Sequence, residues 1–126
     1  PKTTAELKGK KVAVQVGTTW LTKLQAVPGV KEIKTYPKDT DALQNLLSGR
    51  ADAWITDRFA AIEIIKKQKK LQAGDMLFHE RIAMAVAKGD TALLGAINTS
   101  LAHIMANGTY LKLSQKYFGE DIRCKE

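Results

Sequence analysis

The chain has one cysteine, two histidines and three prolines among 126 residues, and aromatics make up only 6%. The lone Cys124 excludes an internal disulfide. It lies in the charged tail 121–126, read as solvated, with no His or Asn at a nucleophile spacing. His79 and His103 lack carboxylate or Cys partners at ligand spacing, so no metal and no cofactor is expected. No apolar run approaches the ~20 residues of a membrane-spanning helix. There is no Walker lysine loop, no G-x-G-x-x-G and no G-x-S-x-G, which removes the nucleotide-binding and hydrolase signatures. No catalytic residue is expected, and the chain is not read as an enzyme.

Cations are what it has in excess, 20 Lys and Arg against 13 Asp and Glu, for a net charge of +7. Such a balance brings nucleic acid and anionic membranes into consideration. The lysines are scattered over 8–11, 31–38, 66–70 and 112–116, and no aromatics interleave with them to stack bases. The run at 66–70 closes a helix, where cations favour the dipole. Nucleic acid is therefore not the expected partner. The length suits one domain with a real core. The chain starts at Pro1 and not at Met, which reads as a mature or trimmed segment, so a missing leader is silent about compartment.

The pattern along the chain alternates strand and helix. Residues 11–16 form a strand with Val12, Val14 and Val16 on one face. Gly17 breaks it, and Thr18 or Thr19 caps a helix to about residue 26. A second strand covers 31–36. Asp39 or Thr40 caps the next helix, with Leu43, Leu46 and Leu47 as its buried stripe and Gly49 as its stop. Residues 53–56 make a third strand with Trp54 in the core, and Asp57 opens a helix. Short strands are expected at 76–79 and 82–87. Asp90 caps a long helix with Leu93, Leu94, Ile97, Leu101, Ile104 and Met105 on one face. Asn107-Gly108 ends it, and Thr109 starts the last helix. Strands alternating with helices imply a three-layer α/β/α arrangement on a mostly parallel sheet.

Two strand-to-helix turns carry the chemistry. The first, Gly17-Thr18-Thr19, offers backbone N–H groups and hydroxyls, which suit an anion. The second, Thr56-Asp57-Arg58, offers a carboxylate. Turns of this kind sit together at the carboxyl ends of parallel strands, where ligands bind. Such a pair can hold a zwitterion, one turn taking the acid and the other the ammonium. Trp20, just past the first turn, is placed either against the ligand or in the core.

The motifs in order are Glu6-Leu7-Lys8-Gly9-Lys10-Lys11-Val12-Ala13-Val14, Gln15-Val16-Gly17-Thr18-Thr19, and the run from Ala42 through Leu46-Leu47-Ser48-Gly49-Arg50-Ala51-Asp52-Ala53. Thr56-Asp57-Arg58, the run from Ile82 to Asp90, and Asn107-Gly108-Thr109-Tyr110 through Tyr117-Phe118-Gly119 follow. As a set they resemble the polar amino-acid family of ABC-transporter solute-binding proteins, which have the type II periplasmic binding fold. The resemblance implies that two lobes close on an amino acid and hand it to the permease subunits of the membrane. It puts the ligand carboxylate at Gly17, Thr18 and Thr19, the ammonium at Asp57, and Trp20 beside the ligand. It implies a periplasmic or extracellular, lipid-anchored location.

Such proteins are about twice this length. Residues 1–81 resemble the second, ligand-binding lobe, and 82–126 the segment that returns to the first. The first lobe, with an arginine for the ligand carboxylate, would precede Pro1. The returning segment is then expected either to fold back, 82–87 pairing in the same chain's sheet, or to be exchanged in a homodimer. A ligand-sensing receptor module and a periplasmic dehydratase-like enzyme share the fold and remain as alternatives. The amino acid itself is left open.

Overall fold

The computed structural model describes residues 1–123, so the expectation for Cys124 lies outside the described residues. The chain divides into two compact units, residues 1–79 and from 80 onward.

In the first unit a short 3-10 turn, Ala5–Leu7, leads into β1 (Lys11–Gln15). There follow α1 (Thr19–Gln25), β2 (Glu32–Tyr36), α2 (Asp39–Leu47), β3 (Ala53–Ile55) and α3 (Arg58–Lys67). The strands form a parallel sheet in the order β2-β1-β3. Because β1 is central, both its faces are covered, and Val12, Ala13 and Val14 are all 0% exposed. A parallel strand buried on both sides needs such an unbroken apolar run. One face packs Leu7, Val12, Val14 and Leu24 with Trp20, Leu21, Ile33 and Ile55 around them. The other packs Ala13, Ala42 and Ala51 beside Tyr36 and Trp54. α1 therefore lies on one side of the sheet and α2 on the other, which makes the three layers.

Asp52 sets the β1–β3 register. Its N–H donates to the Lys11 carbonyl at 2.8 Å, and its Oδ2 accepts from the Lys11 N–H at 2.8 Å. The carboxylate thus stands in for one more carbonyl of the ladder.

The second unit holds α4 (Thr91–Ala106) and α5 (Thr109–Phe118), which pack on each other. Asp90 caps α4 through Oδ1, accepting from the Leu93 N–H at 3.0 Å.

Three expectations need correction. Residues 76–79 and 82–87 form no strand. Ile82 is 89% and Met84 60% exposed, and among the described residues the sheet has the three strands β2-β1-β3. An apolar composition supplies the faces of a strand, but a strand also needs a neighbour for its N–H and C=O groups. Neither Asp39 nor Thr40 caps α2: the N-cap position is Lys38, with no side-chain cap bond, because the Asp39 carboxylate is engaged elsewhere. The leucine stripe is only partly inward. Leu43 is buried on α2, but Leu47 there and Leu93 and Leu94 on α4 are exposed.

Candidate functional site

β1 ends at Gln15, and the chain turns through Val16, Gly17 and Thr18 into α1. Gly17 has φ +76°, in the left-handed region that glycine enters without a Cβ penalty. Nothing lies within 4 Å of where its Cβ would be, so the requirement is conformational and the backbone there faces open space. Thr18 holds the turn at both ends. Its Oγ1 donates to the Gln15 carbonyl at 2.8 Å and accepts from the Leu21 N–H at 3.3 Å, capping α1.

β3 ends at Ile55, and Thr56 and Asp57 lead into α3. Asp57 is exposed and caps α3 through a single oxygen. Oδ1 accepts from the Phe59 N–H at 2.9 Å and the Ala60 N–H at 3.2 Å, and Oδ2 takes no part in the cap. Asp39 fixes the strand end beneath it. Its Oδ1 accepts from the Trp54 indole N–H at 2.8 Å and its Oδ2 from the Thr56 hydroxyl. The first turn of α2 is thereby fastened to the exit of β3.

The strand register brings the two turns together. Val12 pairs with Ala53, Ala13 with Trp54 and Val14 with Ile55. Continued past the ladder, Gly17-Thr18-Thr19 and Thr56-Asp57 leave neighbouring parallel strands at the same, carboxyl edge. Neighbouring strands lie about 4.8 Å apart. Chemically the edge presents open glycine backbone on one strand and a carboxylate oxygen on the next. Trp20 sits one residue into α1, half buried against the Leu7, Val12, Val14 and Leu24 cluster. His79 and His103 are both exposed. Among the described residues no three His, Cys, Asp or Glu side chains group as a metal-ligand set.

Asp39 and Asp52 are the positioning residues that sequence reasoning missed. For Asp39 a signal existed. Trp54 and Thr56 are two apart in a strand, so their donors share one face and one acceptor serves both.

With fold and edge in view, the comparisons are direct. The chain belongs to the bacterial extracellular solute-binding proteins, family 3, whose family model matches residues 3–120. It is 40% identical over 126 residues to the L-cystine-binding protein TcyJ of Escherichia coli (strain K12), covering 96% of this chain and 46% of that protein. It is 37% identical to the histidine-binding periplasmic protein of Salmonella typhimurium, covering 95% of this chain and 50% of that one. Among solved structures, an ancestral arginine-binding protein bound to glutamine superposes with a TM-score of 0.82 at 36% identity, over 95% of this chain and 55% of that one. The chain thus spans about half the length of the relatives it matches. These relatives are named for what they bind and not for a reaction.

Proposed function

We propose that the chain carries one wall of an amino-acid site in the solute-binding component of an ABC importer. The observation that carries this is the shared edge of β1 and β3, where Gly17-Thr18-Thr19 and Asp57 leave adjacent parallel strands. The Gly17-Thr18-Thr19 turn receives the ligand carboxylate, which gains charge-assisted bonds from backbone N–H groups. Asp57 receives the ammonium through Oδ2 while Oδ1 keeps the helix cap. Trp20 flanks the ligand at the rim of the core.

The relatives' names supply a second support. Cystine, histidine and arginine differ in side chain and share only the zwitterionic group. A wall that reads the shared group suits all three, and selectivity then lies elsewhere in the longer proteins. The mechanism is capture. A ligand held only by the closed form shifts the open–closed equilibrium toward closure, and the closed protein docks on its permease. The site works in the periplasm or at the outer face of the membrane, in the latter case on a lipid anchor.

One wall leaves much of the ligand in water, whereas small-ligand sites enclose most of it. This chain alone is therefore expected to bind weaker than micromolar. Two-dimensional ¹⁵N NMR titration with arginine and with histidine reads such binding directly. Shifts are expected at Gly17, Thr18, Thr19 and Asp57, lost with N-acetylated or esterified ligand. Asp57→Asn should abolish them while an amide oxygen preserves the cap and the melting temperature. No shift at high millimolar ligand, shifts confined to other residues, or shifts unchanged in Asp57→Asn would each overturn the assignment.

A further inference from the structure

The edge of the sheet opposite the candidate site gathers cations. Lys8, Lys10 and Lys11 enter β1, Lys31 enters β2, and Arg50 precedes β3. Backbone bonds hold these loops side by side. The Gly9 N–H donates to the Gly29 carbonyl at 2.7 Å, and the Lys31 N–H to the Lys10 carbonyl at 2.9 Å. Lys8 and Val30 form an isolated antiparallel bridge. The Lys34 ammonium reaches over to the Arg50 carbonyl at 3.0 Å. None of these six cations makes an ion pair among the described residues. The carboxylates nearby are Glu32, Asp75, Asp52, whose Oδ2 is held by the Lys11 N–H, and Glu6, held by the Lys2 N–H at 2.9 Å. After α3 the chain passes Lys69 and Lys70 and returns to this end, where the Asp75 N–H donates to the Lys2 carbonyl at 2.6 Å. The site edge carries the opposite balance, with Lys38 and Arg58 against Asp39, Asp41 and Asp57.

We propose that this amino edge is a docking surface for an anionic phospholipid bilayer. Lys8, Lys10, Lys31 and Arg50 are all exposed. Five of the six cations are lysines, compact point charges without the bidentate fork that reads one phosphate or carboxylate. Four come from the three loops that enter the strands, and Lys11 and Lys34 lie on β1 and β2 themselves. The exposed positions among them carry no aromatic ring on which a base would stack. Diffuse, unpaired point charge on an edge matches a surface whose own charges are mobile and evenly spread. The five residues of β1 keep the two edges roughly 15 Å apart at about 3.3 Å per residue. That exceeds the ~8 Å screening length at physiological salt, so docking leaves the site edge electrostatically undisturbed and facing away. The proposal does not depend on the amino-acid site.

Co-sedimentation with vesicles tests it. The chain is expected to bind vesicles of equal phosphatidylglycerol and phosphatidylcholine at low salt, to release at high salt, and to ignore phosphatidylcholine alone. One lysine near an anionic surface changes partitioning roughly fivefold. Triple substitution Lys8→Gln, Lys10→Gln and Lys31→Gln should therefore weaken binding on the order of a hundredfold. Substitution of Lys88, Lys112 and Lys116 by Gln removes equal charge from the second unit and should leave most of the binding. With unaltered protein, NMR signals of residues 8–11, 29–32 and 50 should broaden first on adding anionic bicelles, a readout that needs no variant. Equal loss in both triple variants, broadening centred elsewhere, or tighter binding to single-stranded DNA than to vesicles at the same salt would overturn the proposal.

Discussion

Asp57 has two carboxylate oxygens, and α3 uses one of them. The residue therefore has separable structural and electrostatic duties. Asp57→Ala removes both, and loss of an N-cap costs about 0.5–2 kcal/mol, measurable by urea unfolding. Asp57→Asn removes only the charge and is expected to keep most of that stability. Gly17 offers a different separation. An Ala there meets no neighbour, so the cost of Gly17→Ala is the backbone penalty alone, about 1–2 kcal/mol for an L-residue held left-handed. If the turn relaxes to avoid it, the amide signals of Thr18 and Thr19 should move while those of β2 stay. Asp39→Ala orphans the Trp54 indole N–H and the Thr56 hydroxyl, both part-buried. The expected loss is about 1–3 kcal/mol, with a change in tryptophan emission as the indole loses its acceptor.

At the scale of elements, the sequence was most legible where the determinant is local. The boundaries of β1, α1, α3 and α4 follow from periodicity and from caps at Thr18, Asp57 and Asp90, each bonding within three residues of itself. It was least legible where the determinant is a distant partner. Asp52 looks like an ordinary loop acid until Lys11 is beside it, forty-one residues away. Residues 82–87 have the composition of a buried strand, but composition does not provide an edge to pair with. Within α3, Glu63 and Lys66 form a surface pair at 2.7 Å. The Lys66 hydrogen bond, and then its charge, hold the Glu63 carboxyl below its ordinary value. A lowered folded-state value means the contribution is complete above the unfolded-state value and vanishes as pH falls through the lowered one. Thermal melts of the chain and of Glu63→Gln should thus differ slightly at neutral pH and converge in acid. Both partners are exposed, so the gap is small and closes in high salt.

For the whole molecule, the first unit has an interior and the second is mostly surface. Leu7, Val12, Val14 and Leu24 bury one another, whereas Leu93, Leu94, Leu113, Tyr117 and Phe118 on α4 and α5 are exposed. Residues 71–90, the end of the first unit and the start of the second, carry no helix or strand. Their amides lack ladder partners and should exchange with deuterium far faster than those of β1, read by mass spectrometry. Trypsin should cut first at Arg81 and Lys88, leaving a product that starts at Pro1 and holds β1 to α3. Survival of the 81–88 segment under conditions that cut elsewhere would contradict this. How the chain pairs two turns at one edge could be read from the strand–helix alternation. The rest of the proposed site's enclosure was assigned by the resemblance and not by that alternation, and the chain spans about half of each relative it matches.

The contact of Ala13, Ala42 and Ala51 has a mechanical side. Three methyl groups, with Tyr36 and Trp54 packed against them, make the small buried cluster on the α2 side of the sheet. Ala42 is three residues from Asp39, one helical turn along the same rod. The alanines act as a spacer whose thickness sets the height of Asp39 above Trp54 and Thr56, and so the pose of the turn that bears Asp57. Ala42→Val would thicken that spacer by two carbons and lift the far end of a lever. Its effect should appear in the amide signals of Thr56 and Asp57 before it appears in global stability, making the dullest contact in the core the one that calibrates the exit of β3.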